Sequence, residues 1–400
     1  MALDLSERCL SISPSVTLAI DAKAKEMSAA GIDVVGFGAG EPDFPTPEYI
    51  RQAAKQAIDR GMTRYTPVQG TLALREAIAA KFLRDNGLIY SPAEVIVSGG
   101  AKQSLFIALS ALLNPGDEVL LPSPCWLSYP EMVRMAGGVP VLVPGDAANN
   151  FVVTADMLRP HVTARTKALI LNSPSNPNGH VLQANVLRGI AELAVEREFY
   201  VISDEIYEKL VYGGCAHISI ASLGEAIRAQ TVVVNGVSKT YAMTGWRIGY
   251  AAGPRPIIQA MTAHQSHSSS NPNSIAQYAT QAALAGGEDI VAAMVAEFDA
   301  RRLLMHRLVS AIPGLAANLP DGAFYMMVNL SGILGRRIGG RVIDDSMAFA
   351  AALLAQKSVA VVPGKAFGDD RHVRLSYAVS RAHIEKGIAR IAEFIAETEG

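Results

Sequence analysis

Four hundred residues, half of them hydrophobic and 18% charged, exclude a disordered chain and favour two domains around a shared cleft. Thirty-five basic against 37 acidic residues leave a formal charge of -2, which gives no footprint for nucleic acid or an anionic membrane. Cys9, Cys125 and Cys215 are widely spaced and form no C-x-x-C pair. Neither a disulfide framework nor a metal site is expected, and the pattern suits a reduced, cytoplasmic protein.

Along the chain, Asp4, Glu7 and Arg8 fall where a secretory signal needs an apolar core. No apolar run approaches the ~20 residues that span a bilayer. Gly36, Gly38 and Gly40 resemble a dinucleotide loop, but "EPDFPTP" follows instead of a helix, so that fingerprint is out of context. Seven apolar runs then predict strands: "EVIVSGG" from Glu94, "DEVLLPSP" from Asp117, "VPVLVPG" from Val139, "KALILNSP" from Lys167, "FYVISDE" from Phe199, "TVVVNGV" from Thr231 and "RIGYAAG" from Arg247. Most are near-continuous in Val, Ile and Leu, as in a sheet covered on both faces. Amphipathic segments such as Lys102 to Asn114 and Asn185 to Glu198 lie between them. The expectation is an α/β fold with a mainly parallel seven-stranded sheet and helices on both faces. "SHSSSNPNS", Ser266 to Ser274, reads as a loop, with His264 and His267 as polar loop residues.

Beyond about residue 290 a charged helix, Asp289 to Ile312, leads into fewer strands, among them "GAFYMMVNL" from Gly322 and "VAVVPG" from Val359. This predicts a smaller α+β domain at 291–400, joined by an N-terminal segment at 1–47, with the large domain at 48–290. "GRRIGGR", Gly335 to Arg341, reads as a solvated turn.

In open parallel sheets ligands bind beyond the carboxyl ends of the strands, and the unusual residues fall there. Ser98-Gly99-Gly100-Ala101-Lys102 opens a helix with exposed amides, which suits a phosphate or is an ordinary turn. Asn172 and Asn176 stand in "NSPSNPNG", rich in turn dipeptides. Asp204 ends an apolar strand three residues before Tyr207, and is either a helix N-cap or a buried functional anion. Ser238-Lys239 follows another apolar strand, where a lysine needs a partner or a function. Arg247 suits bidentate phosphate contact and Trp126 offers a face for ring stacking. A lysine, an aspartate for a pyridinium nitrogen and a phosphate cradle are together the handles for pyridoxal phosphate.

With these residues in place, the sequence resembles the class I aminotransferases of the fold-type I, aspartate aminotransferase superfamily, in particular its bacterial aspartate and aspartate/prephenate branch. The resemblance runs through "GAGEPDFPTPEYI", "YTPVQGTLALREAIA", "SPCWLSYPEMV", "NSPSNPNG", "SDEIYE", "SKTYAMTGWRIGY", "GAFY" and "VRLSYA". It implies that Lys239 is the Schiff-base lysine and proton carrier, that Asp204 pairs with the pyridine nitrogen, and that Tyr207 and Asn176 bond the ring's phenolic oxygen. Trp126 would stack on the ring; Gly100, Ala101, Lys102, Ser238 and Arg247 would hold the phosphate. Arg374 would bind the substrate α-carboxylate with help from the backbone at Gly40, and Tyr65 would reach the phosphate of a neighbouring subunit, which implies a homodimer. Two positions depart from the pattern: Gly236 replaces a phosphate-binding serine of some relatives, and Ser13 replaces a Lys or Arg common in dicarboxylate-specific ones. Lys102 stands where the branch places a lysine proposed to meet a substrate side-chain carboxylate.

The implied activity is a ping-pong transfer of an amino group between an L-amino acid, aspartate first, and a 2-oxo acid such as 2-oxoglutarate. Aromatic amino acids, alanine, prephenate or arogenate are alternative substrates, and a lyase of the same fold is an alternative reaction. A non-catalytic effector-sensing domain would need a DNA-binding module, for which the N-terminal segment leaves no room. No Walker A, H-E-x-x-H or G-x-S-x-G motif competes.

Overall fold

The structure, a computed structural model, describes residues 5–399; Asp4 lies outside them. All seven predicted strands form: β1 (Val95–Ser98), β2 (Glu118–Ser123), β3 (Val139–Pro144), β4 (Thr166–Asn172), β5 (Tyr200–Asp204), β6 (Thr231–Gly236) and β7 (Gly249–Ala252). They make one sheet in the order β1-β7-β6-β5-β4-β2-β3. Only β7 runs against its neighbours. The apolar runs are continuous because successive side chains enter different cores. Ile96, Ile170, Ile202, Val232 and Val234 pack against the helix Ala101–Leu112 and the helix Arg255–Ser268. Val95, Val97, Val233 and Tyr250 point the other way, against the helices Leu72–Asn86 and Ser274–Ala285. Each such Val or Ile contributes roughly 1.5–3 kcal/mol by leaving water. The edge strand β3 is largely exposed.

Register aligns the carboxyl ends. Asn172 of β4 pairs with Asp204 of β5, and Asp204 with Val234 of β6. Ser98 of β1 and Gly236 of β6 both pair with Gly249 of β7. Gly249 carries no side chain where a Cβ would lie 2.1 Å from the Ala101 amide nitrogen, so the helix start docks directly on the sheet.

The C-terminal part carries an antiparallel sheet of β8 (Tyr325–Asn329), β9 (Val362–Pro363) and β10 (His372–Ser376), in the order β9-β10-β8 with a short strand Ala316–Ala317 at its edge. The predicted run at Val359 divides: Val359–Ala360 pairs in parallel with Val35–Gly36, while β9 joins β10. The N-terminal chain is thus stitched to the C-terminal part, and Phe37 fills the space a Cβ on Gly387 would need, at 2.4 Å. The helix predicted from Asp289 spans Glu288–Ser310.

One local expectation is corrected and two are sharpened. The helix Arg255–Ser268 continues into the serine-rich stretch, so His264 and His267 are helical. Ser266 and Ser268 donate their hydroxyls to the Ala263 and His264 carbonyls at 2.7 and 2.9 Å, which satisfies them without breaking the helix. The Gly335 to Arg341 turn is a hairpin: Arg337–Ile338 pairs with Arg341–Val342, and Gly339 and Gly340 supply the positive φ of its tip. Asp204 caps no helix, since turns follow β5. No helix among the described residues is long and apolar enough to cross a membrane.

Candidate active site

The aligned strand ends open into a cleft of about 590 Å³, closed on its other side by residues 38–41, by Tyr325 and by Arg374. Lys239, three residues past β6, is half-buried there and donates to the Gly40 carbonyl at 2.5 Å. Burial pushes its amine down to about 8; Arg247 and Arg374 push the same way, and Glu41 and Asp204 oppose them. A substantial share of neutral amine therefore exists near pH 7–8, as a nucleophile or base requires.

Arg247 has φ +56°, a left-handed conformation uncommon outside glycine. It is secured by Nη1 donating to the Thr244 carbonyl at 2.8 Å and Nη2 to the Gly99 carbonyl at 3.3 Å. Its guanidinium lies where a Cβ on Gly100 would be, 2.4 Å from Nη2. Gly100 (φ +97°) is therefore required twice, by its backbone and by the arginine packed on it. The start of the helix Ala101–Leu112, Arg247 and the buried Ser238 together form a cationic, amide-lined cradle. Gly236 is explained by packing: a Cβ there would meet Gly249 Cα, Ile206 Cδ1 and the Ile248 carbonyl, each at 3.1 Å.

Asp204 is 3% exposed and accepts from Tyr129 Oη at 2.7 Å and from the Ile206 amide at 3.3 Å. Burial raises its carboxyl to about 6, while the bonds from Tyr129 and Ile206 and the charge of Lys239 hold it lower than burial alone would. Asn172 bridges two strand ends: its Nδ2 donates to the Asp204 carbonyl at 2.9 Å and its Oδ1 accepts from the Asn176 amide at 2.7 Å. Asn176 Oδ1 in turn accepts from Arg374 Nη1 at 2.9 Å. Arg374 Nη2 donates to the carbonyl of Gly38, not Gly40, at 3.0 Å. Its plane lies 4.3 Å from the Tyr325 ring centre, and its buried Nε has no protein partner. Tyr207 and Tyr325 share a hydroxyl–hydroxyl bond of 3.0 Å. Trp126 lines the same cleft, with Lys102 Nζ 4.6 Å above its ring. Burial, with Arg247 nearby, lowers the Lys102 amine.

The family model described as aminotransferase class I and II matches residues 32–391. The chain belongs to this family. It is 50% identical over 393 residues to an aspartate aminotransferase of Geobacillus stearothermophilus, covering 98% of this chain and 99% of that one. Two solved structures superpose closely. An aspartate aminotransferase from Rhizobium meliloti has a TM-score of 0.96 at 43% identity and full coverage of both chains. An aspartate aminotransferase from Thermus thermophilus with maleate has a TM-score of 0.93 at 45% identity, covering 98% and 100%. The protein is accordingly a pyridoxal-phosphate-dependent aminotransferase acting on an amino acid and a 2-oxo acid.

The residues present fit that cofactor. An aldehyde, a pyridine nitrogen, a flat ring and a phosphate meet an amine with a lowered pKa, a buried carboxylate, an indole face and the Gly100–Arg247 cradle. Eleven of the thirteen residues singled out in the sequence line this cleft, and Gly100 stands beside it with its backbone against Arg247. Tyr65 is the exception, 91% exposed and outside the cleft. Sequence reasoning missed Tyr129, Tyr325, Glu41, Thr17 and Lys25, which also line it. Tyr129 and Tyr325 sit inside quoted motifs, yet nothing in their spacing announces a bond to Asp204 or Tyr207. Ser13 is exposed and outside the cleft lining, so the departure noted there leaves Lys102 and Lys25 as the cations on that wall.

Proposed function

We propose that the aminotransferase uses L-aspartate as amino donor and 2-oxoglutarate as acceptor. The observation that carries the reading is Lys239, an amine brought to about 8 in a cleft that it lines together with Asp204, Arg247 and Arg374. When bound, pyridoxal phosphate supplies an aldehyde carbon and an electron-withdrawing ring, so that a proton can leave the substrate Cα. Arg374, held flat against Tyr325 and aligned by Asn176 and Gly38, takes the α-carboxylate in a forked contact. That contact would fix Cα within reach of Lys239 Nζ, which would accept the Cα proton and return it to the cofactor's aldehyde carbon, across the amino nitrogen. Asp204, ionised above pH 6 and aligned by Tyr129, holds the proton on the ring nitrogen. Tyr207 and Asn176 would bond the phenolic oxygen, Trp126 would stack on the ring, and the backbone amides of the Gly100-Ala101-Lys102 turn, with Ser238 and Arg247, would hold the phosphate.

Aspartate is favoured because the Geobacillus relative carries that activity in its name and the Thermus relative was solved with a dicarboxylate, maleate. Lys102 supplies a cation for the side-chain carboxylate. Residues 1–47 and 291–400 form a small domain that closes on the large domain, 48–290; the pairing of Val35–Gly36 with Val359–Ala360 supports this division. Closure excludes water from the reacting carbon. The exposed Tyr65 serves a second copy of the chain in a homodimer, within the cytoplasm.

The test is a half-reaction panel following cofactor absorbance with Asp, Glu, Phe, Tyr, Ala and arogenate. Aspartate should give the highest kcat/KM. A higher value for Phe or arogenate would replace aspartate by that substrate, and amino-acid turnover without conversion to the pyridoxamine form would replace transfer by lyase chemistry.

A further inference from the structure

Asp204 and Tyr207 stand on a segment with no helix and little strand beyond Asp204 itself, so something other than regular structure must fix their side chains. The residues between and after them point the opposite way. Glu205 is 1% exposed and Glu208 is 6% exposed, and both turn behind the sheet into a buried polar lattice. Glu205 Oε1 accepts from Ser203 Oγ at 2.8 Å and Ser219 Oγ at 2.7 Å, and Oε2 meets His217 Nε2 at 3.1 Å. Glu208 bonds the buried Lys81 ammonium, and its Oε2 accepts from Asn86 Nδ2 at 3.0 Å. Lys81 Nζ also donates to Asn86 Oδ1 at 2.9 Å and lies 3.9 Å from Asp85, which Arg84 and Lys209 contact in turn. Glu205, Glu208 and His217 bring three ligating atoms within 4.8 Å of one another. The Lys81 ammonium already sits on that cluster, so its cation is part of the chain.

We infer that this lattice, Lys81, Asn86, Glu205, Glu208, His217 and Ser219, positions Asp204 and Tyr207 from behind. Each buried carboxylate fixes the backbone on which a cleft residue stands, Glu205 directly after Asp204 and Glu208 directly after Tyr207. The helix Leu72–Asn86 supplies Lys81 and Asn86 and is clamped to the sheet by Ile78 and Phe82, so the anchor is rigid. A buried ion pair of this kind contributes little net stability against an apolar replacement, whereas it tolerates few geometries. Its value lies in orientation, which loosely supported sites lack. Burial would raise the Glu208 carboxyl; the charges of Lys81 and His217 and the bonds from Lys81 and Asn86 overcome that and hold it below the usual range, in line with a permanently ionised anchor.

The inference rests on the reading that Asp204 and Tyr207 face the cofactor, and the experiment separates the two. The variants are Glu205→Gln, which keeps the shape, and the pair Lys81→Met with Glu208→Met, which replaces the ion pair by apolar groups that fill the space. Asp204→Ala is the control. Readouts are thermal unfolding of the holoenzyme, the Kd for pyridoxal phosphate and the pH midpoint of the bound cofactor's absorbance. Positioning predicts a cofactor Kd about tenfold weaker and a displaced midpoint in both variants, even where Tm stays within a few degrees of wild type. Variants that fold and retain the wild-type Kd and midpoint, while Asp204→Ala loses both, overturn this inference alone. An Asp204→Ala that also binds and titrates like wild type overturns the underlying reading. Should the paired variant fail to fold, Glu205→Gln decides.

Discussion

Two sets of residues in the cleft hold their charges differently. Arg374 is enclosed, bonded to Asn176 and Gly38 and stacked on Tyr325, and Asp204 is locked by Tyr129 and by backbone. Lys102 is exposed and rests over Trp126 with no carboxylate partner among the described contacts, and the lining also includes the half-buried Thr17 and the exposed Lys25 of an N-terminal helix. Enclosed groups are held where few geometries are possible, which suits contacts that every substrate shares, because a small displacement at the reacting carbon is costly. Exposed groups, where screening lowers the contribution of each contact, suit discrimination between substrates.

Breaking the enclosed set should have the larger effects. Lys239→Ala removes nucleophile and proton carrier together, and the half-reaction rate should fall by about 10⁴-fold, with loss of the covalently bound cofactor's absorbance band. Arg374→Ala leaves Asn176 and the cleft wall without their cation. Steady-state kcat/KM should fall by about 10²–10³-fold for aspartate and phenylalanine alike, since both carry the α-carboxylate. Equal losses identify the common site; a loss confined to aspartate would reverse the assignment of the two sets. Lys102→Ala should weaken aspartate by about tenfold more than phenylalanine. Equal losses would instead give Lys102 a phosphate or packing role.

The smallest effect is on stability, and its sign follows from the enclosed charges. The folded Lys239 amine titrates at about 8 instead of 10.5, so between those values the unfolded chain binds more protons. Stability of the cofactor-free protein should then rise as pH climbs from about 8 to 10.5. Asp204, raised to about 6 from 3.8, gives the opposite slope below pH 6: the folded chain binds the extra proton, and its stability falls as pH rises from about 4 to 6. Cofactor-free Lys239→Met should therefore melt roughly 2–5 °C above wild type at pH 7, with the gap closing toward pH 10.5. Calorimetry at both pH values checks it, and an unchanged or lower Tm at pH 7 would mean the amine is not held at a cost.

Much of the scaffold was legible because its signals are local. Seven runs of Val, Ile and Leu with helical segments between them can bury their surface in few ways, and β1 to β7 occupy the predicted places. The candidate residues at the strand ends stood out for the same reason: Lys239, Asp204 and Arg247 are polar residues next to buried strands, and all three line one cleft. The loop expected over the serine-rich stretch starts late, at 269, because the hydroxyls of Ser266 and Ser268 are satisfied by carbonyls one turn earlier in the helix. Whether Asp204 caps a helix or serves as a buried anion stayed open until Tyr129, 75 residues away, was seen to donate to it.

The sequence by itself determined the strands of the sheet and the polar residues that stand at their ends, since each is marked by neighbours a few positions apart. Only the tertiary structure decided that Gly236 is glycine because β7 crowds it, that Arg374 is aligned by Asn176 and Gly38, and that Glu205 and Glu208 face a lattice anchored on Lys81. Those facts join residues from 12 to 336 positions apart. Packing density and the need to pair every buried charge settle them, and neither has a local pattern in the chain.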